Sequence, residues 1–344
     1  MSSFSATKSD GRRPNAVKIG LIGAGGWGTA LAKVLSENRH ELVLWCREEE
    51  VRASIRDRRE NTRFLPGIAL PESLRVTASL EEAARGAEIL VLAVPSPYVR
   101  AVATELAPWV LRDASVVSAT KGLEETTHLR MSEVILQTLE DPSPVVLSGP
   151  TFAREVGLGE PTALVAASAD LSRAKRIQES FSTPSFRIYT NDDVLGVELG
   201  GALKNVIALA AGVATGLGLG ENPKAALLTR GLAEISRLVE AMGGRRDTLF
   251  GLAGMGDLVL TATGHLSRNR QVGIELGKGR PLGDILAGMD QVAEGVRTTH
   301  AALDLARAHG VEMPIVIQMD RLLKGETAAE EVMRELMTRP LKSE

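Results

Sequence analysis

The sequence predicts an α/β fold in which a doubly wound parallel sheet is followed by an all-helical domain. Short apolar runs alternate with helical patterns from Val17 to about Asn191, as in consecutive strand–helix–strand units. A glycine-rich turn joins the first of these strands to the first helix. After Asp193 the strand patterns stop, and helical spacing with Gly and Pro punctuation continues.

The predicted strands are short, rich in Val, Ile and Leu, and bounded by turn residues. In chain order they are Lys18–Ile22, Glu41–Trp45, Ile89–Val94, Ser115–Ala119, Val145–Leu147, Thr162–Ala167 and Arg187–Tyr189. The clearest helical patterns are Val194–Gly216, Pro223–Met242, Arg268–Gly277, Gly295–His309 and Pro314–Leu323. We therefore expect a sheet domain over residues 17–192 and a helical domain over residues 193–340.

Composition and charge exclude several classes of protein. Of the 344 residues, 44% are hydrophobic and 24% are charged, which is ordinary for a globular chain. The net charge of −3 gives no basic field for nucleic acid or anionic lipid. The single cysteine, Cys46, excludes an internal disulfide and a cysteine-based zinc site, and we expect a buried thiol there.

No targeting or membrane segment is predicted. Residues 1–16 are polar, contain Pro14 and lack an apolar run, which indicates a disordered tail rather than a signal peptide. The longest apolar stretch, Val206 to Gly220, is shorter than the ~20 residues that a bilayer requires. No metal-ligand spacing, Walker A motif or nucleophile elbow occurs. We expect a soluble, cytoplasmic protein without a membrane span or a metal.

The turn after the first predicted strand has the spacing G-x-G-x-x-G, at Gly23, Gly25 and Gly28. In a dinucleotide site these glycines allow a tight turn, close backbone approach to a pyrophosphate, and close packing of helix on strand. The following helix directs unpaired N–H groups and its positive dipole end at the phosphates. The strand before and the helix after the motif make dinucleotide binding the expected function of this turn.

The end of the second predicted strand bears on the choice of dinucleotide. NAD-specific sites place an acidic residue about 20 residues beyond the glycine turn, for the ribose 2′-hydroxyl. Arg47 stands there in this chain and suits a 2′-phosphate. Three acidic residues, Glu48 to Glu50, follow closely. We expect NADPH to be preferred, with NADH still used.

The loops after three strands carry polar residues, and such loops surround the ligand in open α/β sheets. They are Val94-Pro95-Ser96-Pro97, Ser118-Ala119-Thr120-Lys121-Gly122 and Ser148-Gly149-Pro150-Thr151-Phe152-Ala153. Lys121 is the one charged residue of its loop, so its ammonium can reach the crevice or can remain in solvent.

Lys204 gives a more specific signal. Within the helical pattern Val194–Gly216 the only charged residues are Glu198 and Lys204, and Gly200, Gly201 and Ile207 share the face of Lys204. Desolvation there would lower the lysine pKa and allow proton exchange with a substrate. The alternative is an ammonium that reaches the surface or pairs with an acid. Glu198 lies on another face, and we expect it to be structural.

A third constellation runs from Gly254-Met255-Gly256-Asp257 to Ser267-Arg268-Asn269-Arg270. Ser267 is a good N-cap, and cations in the first turn oppose the helix dipole unless an anion shares the site. Helix N–H groups and a guanidinium together form a phosphate receptor. The alternative is a basic surface loop, and His265 alone indicates a structural or solvated histidine.

With these motifs in order, the sequence resembles the bacterial-type NAD(P)-dependent glycerol-3-phosphate dehydrogenases. The matching stretches span Val17 to about Met337 and are Gly23–Ala32, Phe64-Leu65-Pro66-Gly67, Ser118–Gly122, Ser148–Ala153, Gly201-Ala202-Leu203-Lys204-Asn205 and Ser267-Arg268-Asn269. The resemblance implies a Rossmann-type domain followed by an α-helical domain. It also implies reversible reduction of dihydroxyacetone phosphate to sn-glycerol 3-phosphate, a precursor of glycerophospholipids. The sequence does not define the oligomeric state, and a homodimer is one assembly to test.

The resemblance also implies roles for individual residues. Cofactor positions match Gly26, Trp27, Arg47, Lys121, Ala153, Arg268, Val292 and Glu294, beside the glycines of the motif. Substrate positions match Lys121, Gly149, Thr151, Lys204, Asp257, Ser267, Arg268 and Asn269. Lys204 is the implied proton donor or acceptor, assisted by Lys121 and Asp257. Gly26 departs from the serine of many members, so one hydroxyl toward the pyrophosphate is missing.

Two other functions stay open from the sequence. A two-domain dehydrogenase of the β-hydroxyacid or ketopantoate type has the same order of domains, although a phosphate receptor at Arg268 argues against a plain hydroxyacid. A non-catalytic dinucleotide sensor would have the glycine turn but would not need a desolvated lysine such as Lys204.

Overall fold

The computed structural model describes residues 16–140, 143–289 and 293–338. The predicted tail, apart from Ala16, and the implied cofactor residue Val292 lie outside the described residues. The division into domains at residues 192 and 193 stays a prediction.

Ten strands are described, and each predicted strand is among them. They are β1 Lys18–Ile22, β2 Glu41–Trp45, β3 Glu60–Asn61, β4 Leu65–Ala69, β5 Arg75–Thr77, β6 Ile89–Leu92, β7 Ser115–Ser118, β8 Val145–Ser148, β9 Thr162–Ala167 and β10 Phe186–Asn191. The strands β3, β4 and β5 were not predicted. The strands β3 and β5 have only two and three residues, and β4 contains Pro66 and Gly67, so no alternating pattern marks any of them.

The main sheet has the strand order β10-β9-β8-β7-β6-β1-β2-β5. The strands from β8 to β5 in this order are parallel, and β10 is parallel to β9. The sheet is parallel as predicted except at one pairing, where β9 runs antiparallel to β8, with Leu147 opposite Ala166. Strand direction is set by the connection and not by composition, so the sequence pattern could not show this reversal.

Apolar side chains bury both faces of the sheet, as parallel strands require. Successive residues Leu21 and Ile22 of β1 are both fully buried and belong to different core clusters, one on each face. Cys46, at the end of β2, is fully buried as predicted, and burial raises the pKa of its thiol to about 12.

The helices of the sheet half are α1 Gly26–Glu37, α2 Glu49–Arg58, α3 Leu80–Ala84, α4 Ser96–Leu106, α5 Met131–Thr138, α6 Ala153–Leu158 and α7 Leu171–Phe181. Those of the helical half are α8 Val194–Gly216, α9 Glu221–Ala241, α10 Asp257–Thr263, α11 Arg268–Gly277, α12 Leu282–Ala287, α13 Glu294–Ala308, α14 Pro314–Leu323 and α15 Ala329–Met337. A π-helical turn at Leu252–Gly256 leads directly into α10.

Helix α8 is the centre of the helical half. It is long and apolar enough to cross a membrane by length and composition, yet 89% of its apolar window is buried inside the protein. Helix α11 runs alongside α8 in backbone contact, because a Cβ at Gly212 would lie 2.2 Å from the carbonyl oxygen of Arg270. A Cβ at Gly273 would likewise lie 2.1 Å from the carbonyl oxygen of Leu209. These small residues bring the start of α11 beside the turn of α8 that carries Lys204.

Candidate active site

The glycine turn between β1 and α1 has the geometry of an anion cradle. Gly23 has a φ of +115°, and a Cβ at Gly28 would lie 1.9 Å from the Gly23 carbonyl oxygen, so both positions require glycine. Gly25 is exposed, with open space around it, and it is the N-cap of α1, whose first turn has no acidic residue. The free N–H groups of this helix start therefore fit a pyrophosphate.

Two neighbours of the turn add to this fit. The indole Nε1 of Trp27 is buried and has no hydrogen-bond partner among the described residues, which suits a residue that contacts a ligand. A Cβ at Gly26 would lie 2.8 Å from the carbonyl oxygen of Phe64, on the β3–β4 hairpin. The backbone of this hairpin thus occupies the space that a serine side chain would need at Gly26.

Arg47 extends into solvent just beyond β2. Its side chain is 66% exposed, and its guanidinium carbon lies 5.5 Å from the centre of the Tyr98 ring. Each of the three acidic residues that follow it has an arginine partner: Glu48 pairs with Arg47, Glu49 with Arg52 and Glu50 with Arg63. These pairings leave the three carboxylates less able to bind a ribose hydroxyl.

Lys121, Lys204 and Asp257 meet at the carboxyl end of the sheet. The Asp257 carboxylate is 1% exposed and accepts a hydrogen bond from a lysine on each oxygen. Lys204 Nζ donates to Oδ1, and Lys121 Nζ donates to Oδ2 over 2.7 Å. Two ammonium groups therefore share one buried carboxylate, and the cluster has a net positive charge when both lysines are protonated.

Lys204 lies on the buried α8, and its residue is 6% exposed. Burial lowers the pKa of Lys204 to about 8, against the opposing effect of Asp257, and the nearby Lys121 lowers it further. Gly200, one turn earlier, leaves room for the Ala253 carbonyl of the π-helical turn, which a Cβ would approach to 2.9 Å. The predicted desolvated lysine is thus present, and it can exchange a proton near neutral pH.

Lys121 belongs to the loop after β7, and its ammonium reaches the loop after β8. It donates to the Gly149 carbonyl oxygen over 2.7 Å and lies 3.3 Å from Thr151 Oγ1. The Lys121 side chain is 17% exposed and that of Lys204 is 7% exposed, so Lys121 lies nearer to solvent. Ala153, a few residues further on, is the first residue of α6. The structure therefore brings Lys121, Gly149, Thr151, Lys204 and Asp257 together at one edge of the sheet.

Thr261 is a further member of this cluster, and the sequence pattern assigned it no role. Its hydroxyl donates to the Asp257 carbonyl oxygen over 2.7 Å, so its oxygen accepts from Lys204 Nζ, which lies 2.8 Å away. The hydroxyl thereby fixes the position of the ammonium. The spacing of Asp257 and Thr261, four residues apart on one helix, was the signal that could have identified it.

The start of α11 forms the remaining wall. Ser267 Oγ accepts from the Arg270 N–H over 3.2 Å and is the N-cap, as predicted, while Arg268 is exposed. Asn269 is buried and bridges two elements, donating to Asn205 Oδ1 over 2.9 Å and accepting from Gly295 N over 2.9 Å. This amide thus links the turn that carries Lys204 to the start of α13.

Glu294, at the start of α13, is half-buried, and burial raises the pKa of its carboxyl against the nearby Arg268, Lys204 and Lys121. His265 is exposed, as expected of a solvated histidine. Glu198 accepts from the Ser132 N–H and from Arg130, each over 2.8 Å, and holds α5 against α8, in keeping with a structural role. No group of three or more metal-binding side chains occurs among the described residues.

An open phosphate cradle on a Rossmann-type sheet, with a buried lysine at the same edge of that sheet, defines a nicotinamide-dependent oxidoreductase with a helical second half. Comparison with known proteins makes this specific. Residues 18–174 match the NAD-dependent glycerol-3-phosphate dehydrogenase N-terminus and residues 193–334 match the C-terminus of the same family. The chain belongs to the NAD-dependent glycerol-3-phosphate dehydrogenase family.

Known relatives match this chain over almost its whole length. A protein from Koribacter versatilis named glycerol-3-phosphate dehydrogenase [NAD(P)+] is 56% identical over 332 residues, 95% of this chain and 98% of that protein. The crystal structure of glycerol-3-phosphate dehydrogenase from Coxiella burnetii superimposes with a TM-score of 0.91 at 38% identity, covering 95% of this chain and all of the other. A ketopantoate reductase from Ralstonia eutropha has a TM-score of 0.61 at 15% identity over 93% of this chain and 99% of the other, a likeness of fold alone.

Proposed function

We propose that Lys204, Lys121 and Asp257 carry out in this chain the reaction of its family, the reversible reduction of dihydroxyacetone phosphate to sn-glycerol 3-phosphate with NAD(P)H. The observation that supports this most strongly is the buried contact of Lys204 with Asp257, at the edge of the sheet where the glycine turn opens. The product is a backbone precursor of glycerophospholipids, so the reaction supplies lipid synthesis.

The nicotinamide, when bound, supplies a hydride to the carbonyl carbon of the substrate. The carbonyl oxygen gains negative charge in the transition state, and Lys204 donates a proton to it. Asp257 retains Lys204 in its charged form before the transfer, and Thr261 holds the ammonium in place. In the reverse direction neutral Lys204 accepts the proton of the C2 hydroxyl group.

Lys121 supplies positive potential beside the reacting oxygen. Its ammonium is tied to Gly149, Thr151 and Asp257, so it is oriented before the substrate arrives. The N–H groups after Ser267 and the guanidinium of Arg268 hold the substrate phosphate. Asn269 keeps this helix start beside the turn of Lys204 through its bond to Asn205.

NADPH is the preferred cofactor in this proposal. The Arg47 side chain is exposed just beyond β2, and the carboxylates of Glu48, Glu49 and Glu50 each pair with an arginine, an arrangement that favours a 2′-phosphate over a 2′-hydroxyl. The cofactor contacts at Gly26, Trp27, Ala153 and Glu294 belong to the same proposal. Val292 belongs to it as well, on the strength of the sequence resemblance alone.

The enzyme is proposed to work in the cytoplasm as a homodimer. For the location, the one described helix that is both long and apolar enough to cross a membrane is 89% buried inside the protein over its apolar window. Light scattering of the purified chain tests the homodimer, and a monomer mass would contradict it.

Turnover of three substrates tests the proposed activity directly. The purified protein with NADPH and dihydroxyacetone phosphate should consume NADPH, followed by absorbance of the reduced nicotinamide. Unphosphorylated dihydroxyacetone should react poorly, and ketopantoate should not react. NADPH consumption with ketopantoate alone would contradict the proposal, and NADPH binding without turnover of any of the three would favour a dinucleotide sensor.

A further inference from the structure

Asn61, on the short strand β3, is fully buried although its side chain is polar. It lies apart from Lys121, Lys204 and Asp257, on the β3–β4 hairpin, which packs against the glycine turn. Both polar atoms of its amide form hydrogen bonds within the protein. Its Nδ2 donates to the Ala24 carbonyl oxygen and to Thr29 Oγ1, each over 2.8 Å, and its Oδ1 accepts from the Phe64 N–H over 3.0 Å.

The bond to Ala24 fixes the orientation of one peptide unit in the glycine turn. A trans peptide is planar, and its C=O and N–H point in opposite directions. The Ala24 carbonyl turns inward, toward Asn61 and also toward the Thr29 hydroxyl at 3.3 Å. The Gly25 N–H of the same peptide therefore turns outward, into the open space at the start of α1.

The bond to Phe64 fixes the hairpin over the same turn. Phe64 places its carbonyl oxygen so close to Gly26 that a Cβ there would lie 2.8 Å away. Because Asn61 holds both the Phe64 N–H and the Ala24 carbonyl, one buried side chain sets the distance between the hairpin and the turn. None of these hydrogen bonds links the hairpin to Lys121, Lys204 or Asp257.

We propose that Asn61 is a positioning residue for cofactor binding, which presents the Gly25 N–H to the pyrophosphate by holding the Ala24 carbonyl. This inference rests on the proposed binding of NADPH at the glycine turn. It assigns Asn61 to affinity for the dinucleotide and not to the chemical step. Loss of the amide releases the Ala24–Gly25 peptide, which must then be ordered each time that the cofactor binds.

Cofactor titration of Asn61→Ala tests the proposal. We expect the Kd for NADPH, measured by fluorescence without substrate, to rise about five- to tenfold, the scale of one lost hydrogen bond. At saturating NADPH, kcat and the KM for dihydroxyacetone phosphate should stay within about twofold of wild type. A merely structural role would lower Tm and leave the Kd for NADPH unchanged.

Asn38→Ala is the matched control. Asn38 caps the opposite end of α1, and its amide donates to a single backbone carbonyl, that of Ser180, over 2.8 Å. This variant should lose stability without a change in the Kd for NADPH. If Asn61→Ala does not fold, Thr29→Val removes the second donor to the Ala24 carbonyl and should still raise the Kd about threefold.

An unchanged Kd for NADPH in a folded Asn61→Ala, or in Thr29→Val where Asn61→Ala does not fold, overturns the inference and leaves the proposed reaction standing. A wild-type protein that binds NADPH with the expected dependence on Asn61, yet does not reduce dihydroxyacetone phosphate, contradicts the proposed reaction and leaves this inference standing.

Discussion

The ammonium of Lys204 and the carboxylate of Asp257 form an ion pair where α8 packs against α10, with side chains 7% and 1% exposed. Burial of two charges is expensive, and a well-packed apolar pair in such a place is often as stable or more so. The pair therefore points to function rather than to stability. The second oxygen of the same carboxylate holds Lys121, which keeps positive charge beside the proton that Lys204 can give.

Removal of the Lys204 amine should abolish most turnover. We expect Lys204→Ala to lower kcat by roughly 100-fold or more, the usual scale for a positioned acid or base. Lys204→Arg should not restore it, because a guanidinium does not release its proton at these pH values. Steady-state kinetics in both directions measure this, and the Kd for NADPH should hardly change. Near-normal kcat in either variant would make Lys204 a structural residue.

Thr261→Val should shift the pH profile instead of abolishing activity. The variant loses the oxygen that accepts from the Lys204 ammonium, so the charged form is less stable and the pKa of Lys204 should fall. The kcat of reduction should then decline at a lower pH than in wild type, with a loss of about three- to tenfold at pH 8.

Thr263→Val is the control for Thr261→Val. Thr263 lies on the same helix, is exposed, and bonds only to the Val259 carbonyl oxygen in the described contacts. Its pH profile should match that of wild type. Equal shifts in the two variants would show that the effect comes from helix α10 and not from the bond to Lys204.

Much of this fold could be predicted because its signals are local. The helix Val194–Gly216 has the predicted bounds, since a mostly apolar pattern continues between the N-cap Asp193 and the glycines that follow Gly216. The strands β3 to β5 and the antiparallel pairing of β9 with β8 were missed. Their formation depends on which distant strand lies alongside, and no local pattern encodes that partner.

The site was predictable at residues whose type conflicts with their surroundings. One such residue is Lys204, which lies among small and apolar residues. Another is Arg268, a cation in the first turn of α11. Both lie at the walls of the candidate site. Thr261 and Asn61 gave no such conflict, because threonine and asparagine are ordinary in helices and turns. Their roles depend on contacts between elements, with Lys204 in one case and Ala24 in the other, and only the structure shows those contacts.

Cofactor preference should depend on Arg47. Arg47→Ala should lower kcat/KM for NADPH by about tenfold or more, since a charge-assisted contact to the 2′-phosphate is lost, and should change kcat/KM for NADH little. Arg56→Ala, which removes an exposed guanidinium from α2, is the control and should leave the ratio of the two cofactors unchanged. A wild-type enzyme with the higher kcat/KM for NADH would contradict the proposed preference.

Phosphate recognition should depend on Arg268. Loss of one charge-assisted contact is worth ~1.5–3 kcal/mol, so Arg268→Ala should lower kcat/KM for dihydroxyacetone phosphate about 10- to 150-fold. Turnover of unphosphorylated dihydroxyacetone should hardly change, and Arg268→Lys should recover only part of the loss. Arg280→Ala, near the other end of α11, is the control. An unchanged ratio of the two substrates would place the phosphate elsewhere, with Lys121 and the Gly149–Thr151 loop as the next candidates.

The pH dependence of kcat in the two directions tests the role of Lys204 most directly. Burial lowers the pKa of Lys204 to about 8, so the ammonium is charged below that pH and neutral above it. Reduction of dihydroxyacetone phosphate requires the charged form, and its kcat should fall as the pH rises through about 8. Oxidation of sn-glycerol 3-phosphate requires the neutral form, and its kcat should rise over the same range. If kcat changed in the same direction with pH in both reactions, or did not change over this pH range, proton transfer by Lys204 would be contradicted.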